Sequence, residues 1–461
     1  MAQASAQSAA GPSVSPTSQQ NPFLGGVPQK KTNNNDDQVI SLTLRDALTR
    51  GLKYNLGLLL GEQGTRAATA QRLTALSVLL PNVNAHITED VQQTNLAALG
   101  LSVNALPGLS PVVGPFSVFD ARGSVSQQAF NWSAIQNYRA SKEGAKAAQL
   151  SYKDARETVV QVVTGLYLQT IASRSRGDAA RAQLASAKAI YDQTIHLKQA
   201  GIAAGIDVLR AQVEMQMLQQ RVLSTENDLE KQKIALARAI GLPEGQQFTI
   251  AEDVPYIAMP APTLEDARQT ALQKRADYQQ ALALVKASEL ARQAATAEYL
   301  PSLQFGGDYG TLGRTPGNSH GTFTAAATLK IPIFQGGRVQ AETLQADAQL
   351  RQRQAQADDL RGRIGQELRN ALMDLNTASQ QVEVARSSVD LANQQLTQAR
   401  DRFRSGVANT IEVVQAQESV ANANETFIAS VYAYNVAKTS LARAMGVAET
   451  DVISWLTGNE Q

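Results

Sequence analysis

Two stretches of this chain are copies of one another. Leu236-Ala-Arg-Ala-Ile-Gly241 returns as Leu441-Ala-Arg-Ala-Met-Gly446, five of six residues identical at an offset of 205. The same offset aligns the segment Gly201–Gln212 with Gly406–Gln417 without a gap. Upstream the offset becomes 220: Leu44-Arg-Asp-Ala47 matches Leu264-Glu-Asp-Ala267, and Leu80-Pro81 matches Leu300-Pro301. Phe130 then meets Phe334 at an offset of 204, so the first copy carries extra residues between its Pro and its Phe. A chain built by tandem duplication must fold as two related halves, and each half has to satisfy the same order of elements.

Proline placement supplies that order. None of the 15 prolines falls between Pro115 and Pro243 or after Pro332, and both stretches are rich in Ala, Gln, Leu, Glu and Arg, which favour helix. In the second stretch Leu368, Leu375, Val382, Val389, Leu396 and Phe403 recur every seven residues, with Ala371, Ala378, Ala385, Ala392 and Ala399 three positions behind the first five. A large residue alternating with Ala lets two helices approach closely along one seam. The first copy has a looser version through Val163, Thr170, Ser173, Gly177, Ala180 and Ala187. A helix from about 338 to 404 would be roughly 100 Å long at 1.5 Å per residue, far beyond a globular helix. An ordinary coiled coil carries the same seam.

Between the helical stretches the pattern switches to period two. Phe323, Ala325, Ala327, Leu329, Ile331 and Ile333 alternate with Thr322, Thr324, Thr328 and Lys330; Leu303, Phe305 and Tyr309 alternate with Ser302, Gln304 and Asp308. In the first copy Val83, Ala85 and Ile87 alternate with Asn82, Asn84 and His86, and Phe119, Ala121 and Val125 with Asp120, Arg122 and Ser124. A half-buried soluble sheet reads this way, and so does a membrane β-barrel strand. No amphipathic helix is left over to cover four such strands, so lipid is the remaining apolar partner. Four strands are too few to close a barrel and an open edge is not tolerated in hydrocarbon, which calls for several copies of the chain; two or three satisfy the arithmetic.

Composition narrows the function. Lys plus Arg number 42 against 41 Asp plus Glu, giving a net charge of +1 without the basic excess that nucleic acid requires. There is no Cys, which removes disulfides, thiolate metal sites and a lipidated N-terminal Cys, and His86, His196 and His320 are scattered. The longest uncharged run, Val91 to Phe119, holds Pro107, Pro111 and Pro115 and cannot be a continuous membrane helix. Met1 is followed by neither a basic nor an apolar signal region, which fits a cytoplasmic chain or a processed one. No phosphate loop, paired His or other catalytic constellation stands out. The expectation is a non-enzyme without cofactor or metal.

The Leu-Pro pairs that open the first and third strands, the run Ile331-Pro-Ile-Phe-Gln-Gly-Gly-Arg338 and the twice-used turn at Gly201 and Gly406 resemble the TolC-type outer-membrane efflux proteins, from about Leu42 to Gly446. The resemblance implies a mixed fold: a membrane β-barrel plus a long α-helical barrel, in which a homotrimer forms twelve strands and a periplasmic tunnel. It implies an exported chain with its signal removed, set in outer-membrane lipid of a Gram-negative bacterium. Its partners would be a periplasmic adaptor and an inner-membrane pump, of an efflux or type I secretion system. The rival reading is a non-channel structural coiled-coil assembly.

On this reading residues 1–38, Ser/Gln/Asn/Pro-rich, are a disordered tail. The first repeat is 42–242, with strands about 82–96 and 116–130 and helices about 133–200 and 206–240. Residues 243–262 form an equatorial linker. The second repeat is 263–446, with strands about 302–311 and 321–334 and helices about 338–404 and 410–445, and 447–461 is a C-terminal tail.

A passive duct works through rings of side chains at its narrowest point. The resemblance sets Glu412 at an acidic constriction with Asp207 as its first-copy counterpart, although both acids also suit a helix N-terminus. A second acidic ring is missing, since Gln415 stands there, and Ala408 occupies the place of a basic lock. Phe403 is an aromatic site before the turn, or packing. Gly201, Gly205 and Gly406 belong to the tip turns where an adaptor would dock. Pro332, Phe334, Gly336 and Gly337, with Phe130 and Trp132 in the first copy, mark the barrel-to-helix junction. Because Trp132-Ser133 replaces the two glycines there, the glycine requirement is expected not to be strict.

Overall fold

The computed structural model describes residues 21–29, 39–99, 110–201, 203–251, 254–405, 407–408 and 410–458. The elements in chain order are β1 (Ile40–Leu42), α1 (Leu44–Tyr54), α2 (Leu56–Ser77), β2 (Asn82–Asn95), β3 (Val112–Phe130), α3 (Trp132–Gln199), α4 (Gly205–Ala239), β4 (Phe248–Ile250), α5 (Leu264–Lys274), α6 (Ala276–Thr296), β5 (Ser302–Gly313), β6 (Ser319–Lys330), α7 (Arg338–Arg404), α8 (Thr410–Met445) and α9 (Ala448–Thr457). The chain forms two compact units, and neither is a repeat. One holds Met1–Glu62, Tyr152–Arg275 and Arg363–Gln461; the other holds Gln63–Ser151 and Ala276–Gly362. Each unit therefore takes a share of both copies.

The duplicated motifs have a structural reason. Leu44-Arg-Asp-Ala and Leu264-Glu-Asp-Ala both open a helix whose preceding Thr caps it. Thr43 Oγ1 accepts from the Asp46 amide at 3.1 Å, and Thr263 Oγ1 accepts from the Asp266 amide at 3.2 Å. Both helices stop eleven residues later, at Asn55 and Arg275, which are buried although polar, 0% and 4% exposed. Asn55 Nδ2 donates to the Ala239 carbonyl at 3.2 Å, and Arg275 Nη1 donates to the Ala444 carbonyl at 3.2 Å. Those acceptors are the last Ala of the two Leu-Ala-Arg-Ala copies. Gly241 and Gly446 follow, with φ of +65° and +72°. A Cβ on Gly241 would lie 2.6 Å from Tyr54 Cβ, and one on Gly446 2.9 Å from the Arg275 backbone. Glycine is required at both by conformation and by close approach.

Heptad positions Leu368, Ala371, Leu375, Ala378, Val382, Ala385, Ala392, Leu396 and Ala399 are buried along α7, and Val163, Thr170, Ser173, Gly177, Ala180 and Ala187 are buried along α3. Leu166, Leu184, Tyr191 and Val389 are half-buried. β1 and β4 pair in parallel, Ile40 with Phe248 and Leu42 with Ile250, and Tyr167 Oη donates to the Leu42 carbonyl at 3.2 Å.

Two expected tails are corrected. Residues 21–29 are packed: the Val27 amide donates to the Tyr54 carbonyl at 2.9 Å and the Leu56 amide to Gly25, because the α1–α2 break leaves backbone groups that need partners. The rest of 1–38 lies outside the described residues. At the other end, 448–457 is helix α9, with Ala448, Val452 and Leu456 buried. Glu157 caps it, accepting from the Ala448 amide at 2.7 Å, and burial pushes its carboxyl above the usual range. Arg156 and Arg443 pair with Glu449 and Asp154. Lys438, wholly buried on α8, donates through Nζ to the carbonyls of Ile257 at 2.6 Å and Trp455 at 2.8 Å, and lies 4.9 Å over the Tyr434 ring. Burial lowers its pKa to about 8.

β2, β3, β5 and β6 form one antiparallel sheet in that order. Pairing Val83 with Val125, Val125 with Gly307 and Gly307 with Ala325 brings the odd positions of all four strands to one face. That face carries Val83, Ile87, Val91, Val125, Phe305, Tyr309, Phe323 and Leu329, all exposed, Ile87 at 77% and Phe323 at 78%. Glu89 is its one charged residue among the described strand positions. The other face carries His86, Asp90, Ser124, Gln304 and Thr322 around a charged cluster. Arg122 Nε and Nη2 hold both oxygens of Asp120 at 2.7 and 2.6 Å, and Nη1 reaches Asp308 at 3.2 Å. β2 and β6 pair on one side only. The fourth strand ends at Lys330 rather than 334, since Pro332 has no amide to continue the ladder.

Candidate functional site

Two helical hairpins carry the turns singled out in the sequence. At the α3–α4 turn the Ala203 amide reaches back to Leu197 at 3.2 Å and the Gly201 amide to Lys198 at 3.0 Å, with Gly201 at φ +74°. The turn closes through a left-handed residue after a helix end, which glycine adopts without Cβ strain. Gly205 begins α4 and is exposed. At the α7–α8 turn the amides of Val407 and Ala408 both donate to the Arg402 carbonyl, at 3.0 and 3.2 Å. Gly406 lies outside the described residues.

Each acid sits in the first turn of its second helix, where the macrodipole favours a negative charge. Their partners differ. Asp207 pairs along its own helix with Arg210 at 3.6 Å. Glu412 pairs across the turn with Arg402 Nε at 3.3 Å, both side chains about half exposed. A basic partner for the acid therefore exists, on the helix before the turn and not at Ala408 beyond it. The signal was present in the charged run Asp401-Arg402-Phe403-Arg404, but the partner lies ten positions upstream. Gln415 is exposed. Phe403 is partly buried against a cluster of Ile190, Leu396, Ala399, Val413, Ala416 and Val420, which ties the ends of α3, α7 and α8 together.

Behind the turns lies a cavity of about 650 Å³ lined in part by Gln183, Ser186, Glu214, Arg400, Gln417 and Glu418. Ser186 Oγ receives Gln417 Nε2 at 3.0 Å and a guanidinium hydrogen of Arg400. Burial, and then the charge of Glu418, push the Glu214 carboxyl above its ordinary range. Neither acid was picked from sequence, because helix-surface Glu residues there have no distinguishing spacing.

The junction residues divide by copy. Phe130 ends β3 after a register shift, opposite Leu303. Trp132 begins α3 with Arg139 5.6 Å from its ring, and Ser133 Oγ donates to Glu298 at 3.0 Å. In the second copy Pro332 lies between strand and helix, Ile333 and Phe334 are almost fully exposed, and Gly336 and Gly337 have φ of +59° and +83°. In this copy glycine is favoured by backbone conformation alone: nothing crowds a Cβ at either position, and the left-handed φ is what strains another residue. The first copy runs directly from strand to helix and needs no left-handed residue. Arg338 then bonds Glu342 at 2.7 Å and Glu298 at 3.2 Å.

The profile of the family described as outer membrane efflux protein matches residues 52–242 and 267–447, both repeats. The chain belongs to that family. As an outer membrane efflux protein it is 25% identical over 427 residues to the outer membrane protein OprJ of Pseudomonas aeruginosa, covering 88% of this chain and 85% of that one. It is 22% identical over 393 residues to the toluene efflux pump outer membrane protein TtgC of Pseudomonas putida, covering 83% and 76%. The solved Campylobacter jejuni CmeC outer membrane channel superposes with a TM-score of 0.76 at 20% identity, over 93% of this chain and 92% of that one. The efflux-protein fold is thus a four-stranded contribution to a membrane barrel joined to long helical hairpins, and the protein resides in the outer membrane.

Proposed function

We propose that this chain is the outer-membrane duct of a tripartite efflux or type I secretion machine, working as a homotrimer with a periplasmic adaptor and an inner-membrane pump. The observation that carries this reading is the sheet. It has one exposed apolar face, one polar face and two unpaired edges, which is unstable in water and, as a single copy, in lipid. Three copies supply twelve strands, pair every edge and turn the polar face inward. A structural coiled-coil assembly offers no use for such a sheet.

The tip turns are the gate in this reading. Threefold repetition would bring three Glu412 and three Asp207 near one axis, and the Arg402–Glu412 pair would tether the turn closed. Gly201, Gly205 and Gly406 mark the end where an adaptor docks. Energy for export comes from the pump.

Planar-bilayer recording from detergent-purified protein tests the reading. Trimeric protein should insert and conduct, and Arg402→Ala should raise conductance by loosening the gate. A well-folded sample that remains monomeric and inserts no conducting unit would defeat it.

A further inference from the structure

The cavity behind the tip turns is walled by both hairpins: Gln183 and Ser186 come from α3, Glu214 from α4, Arg400 from α7, and Gln417 and Glu418 from α8. Its unmet needs are all of one kind. Gln417 is 7% exposed, and its Oε1 has no hydrogen-bond partner, since only Nε2 is used, on Ser186. Gln183 Oε1 is buried in the same wall and likewise unpartnered. Burial and then the charge of Glu418 oppose ionisation of Glu214, and no guanidinium counters them. The two cations of the wall have other partners. Arg400 donates to Ser186, and Arg221 lies 4.0 Å from Glu425, which also holds Arg176 at 2.8 Å. Two amide oxygens and two carboxylates thus share one space, with no donor on any of the four among the described residues.

We infer that this cavity binds a small amphipathic amine, its ammonium head among Glu214, Glu418 and the two amide oxygens and its hydrocarbon body against Leu218, Leu396 and Val420. An ammonium group carries three donors and one positive charge, which is what these four acceptors lack. Leu218, Leu396 and Val420, all buried, supply the apolar part of the wall. A metal ion fits less well. No group of three acidic or His side chains suited to one occurs among the described residues. A volume of about 650 Å³ is instead room for a molecule, within the range of about 300–1,000 Å³ usual for ligand pockets.

Because the wall is shared, an occupant ties α3 and α4 to α7 and α8. Under the duct reading it would brace the hairpins behind the gate. The site itself stands on the geometry of one chain and does not need that reading.

Isothermal titration of 4-phenylbutylamine into detergent-purified protein tests the site, with 4-phenylbutanol as the uncharged control in matched detergent. Wild type should bind the amine saturably and the alcohol about tenfold more weakly or worse. Glu214→Gln keeps the shape of the side chain. It should weaken amine binding about ten- to a hundredfold, the loss of a charge-assisted hydrogen bond, and leave the alcohol unchanged. Ala182→Phe, on an exposed part of the wall, should block both ligands by filling the cavity. Glu412→Gln at the tip should change neither. Circular dichroism of each variant checks that the helices form. Binding that ignores both Glu214→Gln and Ala182→Phe, or that is equal for amine and alcohol, would overturn the site, as would a folded wild type that takes up no amine. Conductance is read separately: protein that binds the amine yet forms no conducting unit keeps the site and removes the duct reading.

Discussion

Lys438 is buried without a carboxylate partner, held by two carbonyl oxygens and a tyrosine ring. Burial favours the neutral amine, whereas the carbonyls favour the charged one; the net effect is a pKa lowered to about 8. The unfolded chain, with an ordinary lysine, binds more protons than the native state between pH 8 and about 10.5, so stability from this group rises with pH across that window. The gain is on the order of 1–3 kcal/mol. Chemical denaturation at pH 7.5 and 9.5 should show it, and Lys438→Met should flatten it while loosening α9. Gly446→Ala should be more damaging, since it forces a side chain into the left-handed region and against Arg275; about 2–4 kcal/mol is expected from strain and overpacking together, read as a lowered denaturation midpoint. Both glycines were legible as parts of a repeat. Their contacts were not, because Tyr54 and Arg275 lie more than 150 residues away and are different residue types.

At the scale of elements, the long helices and the sheet were legible from period alone: 3.5 along the Leu/Ala seam, two along the strands. The ends of elements were less so. Strand β6 stops where Pro332 breaks the ladder, although the alternating pattern continues to Ile333. α9 is short and lacks a sequence cap, since its N-terminus is satisfied by Glu157 from a distant helix. The α7–α8 turn shows the same limit: Glu412 and the charged run holding Arg402 were both visible, but their pairing across ten positions was not. An exposed ion pair contributes about 0–1 kcal/mol, so in the proposed trimer three such pairs would hold the turns by only a few kcal/mol. Such a gate should be salt-sensitive. Conductance normalised to bulk conductivity should rise between 0.1 M and 1 M KCl in wild type and stay flat in Arg402→Ala.

For the whole molecule, the sheet decides where the protein belongs. Phe323 lies on the exposed apolar face, on the edge strand β6 opposite Tyr309, and a lysine there would face hydrocarbon at a cost of about 2–4 kcal/mol per chain near the membrane midplane. Phe323→Lys should therefore lower the amount of folded protein in isolated outer membranes, while Thr322→Lys, on the polar face one residue away, should not. Equal loss in both would contradict the inside-out order of the sheet.

The paired attachments at Asn55 and Arg275 bear on how a duplicated chain stays foldable as its halves drift apart. Each donor reaches a peptide oxygen, on Ala239 or Ala444, and no substitution of the acceptor residue other than through its backbone can delete that oxygen. One half keeps a short neutral amide while the other adopts a long guanidinium, whose charge is met by the Glu367 carboxylate 2.5 Å away. Coupling through main chain leaves the acceptor free of any matching change and confines it to the charge partner that a cation requires.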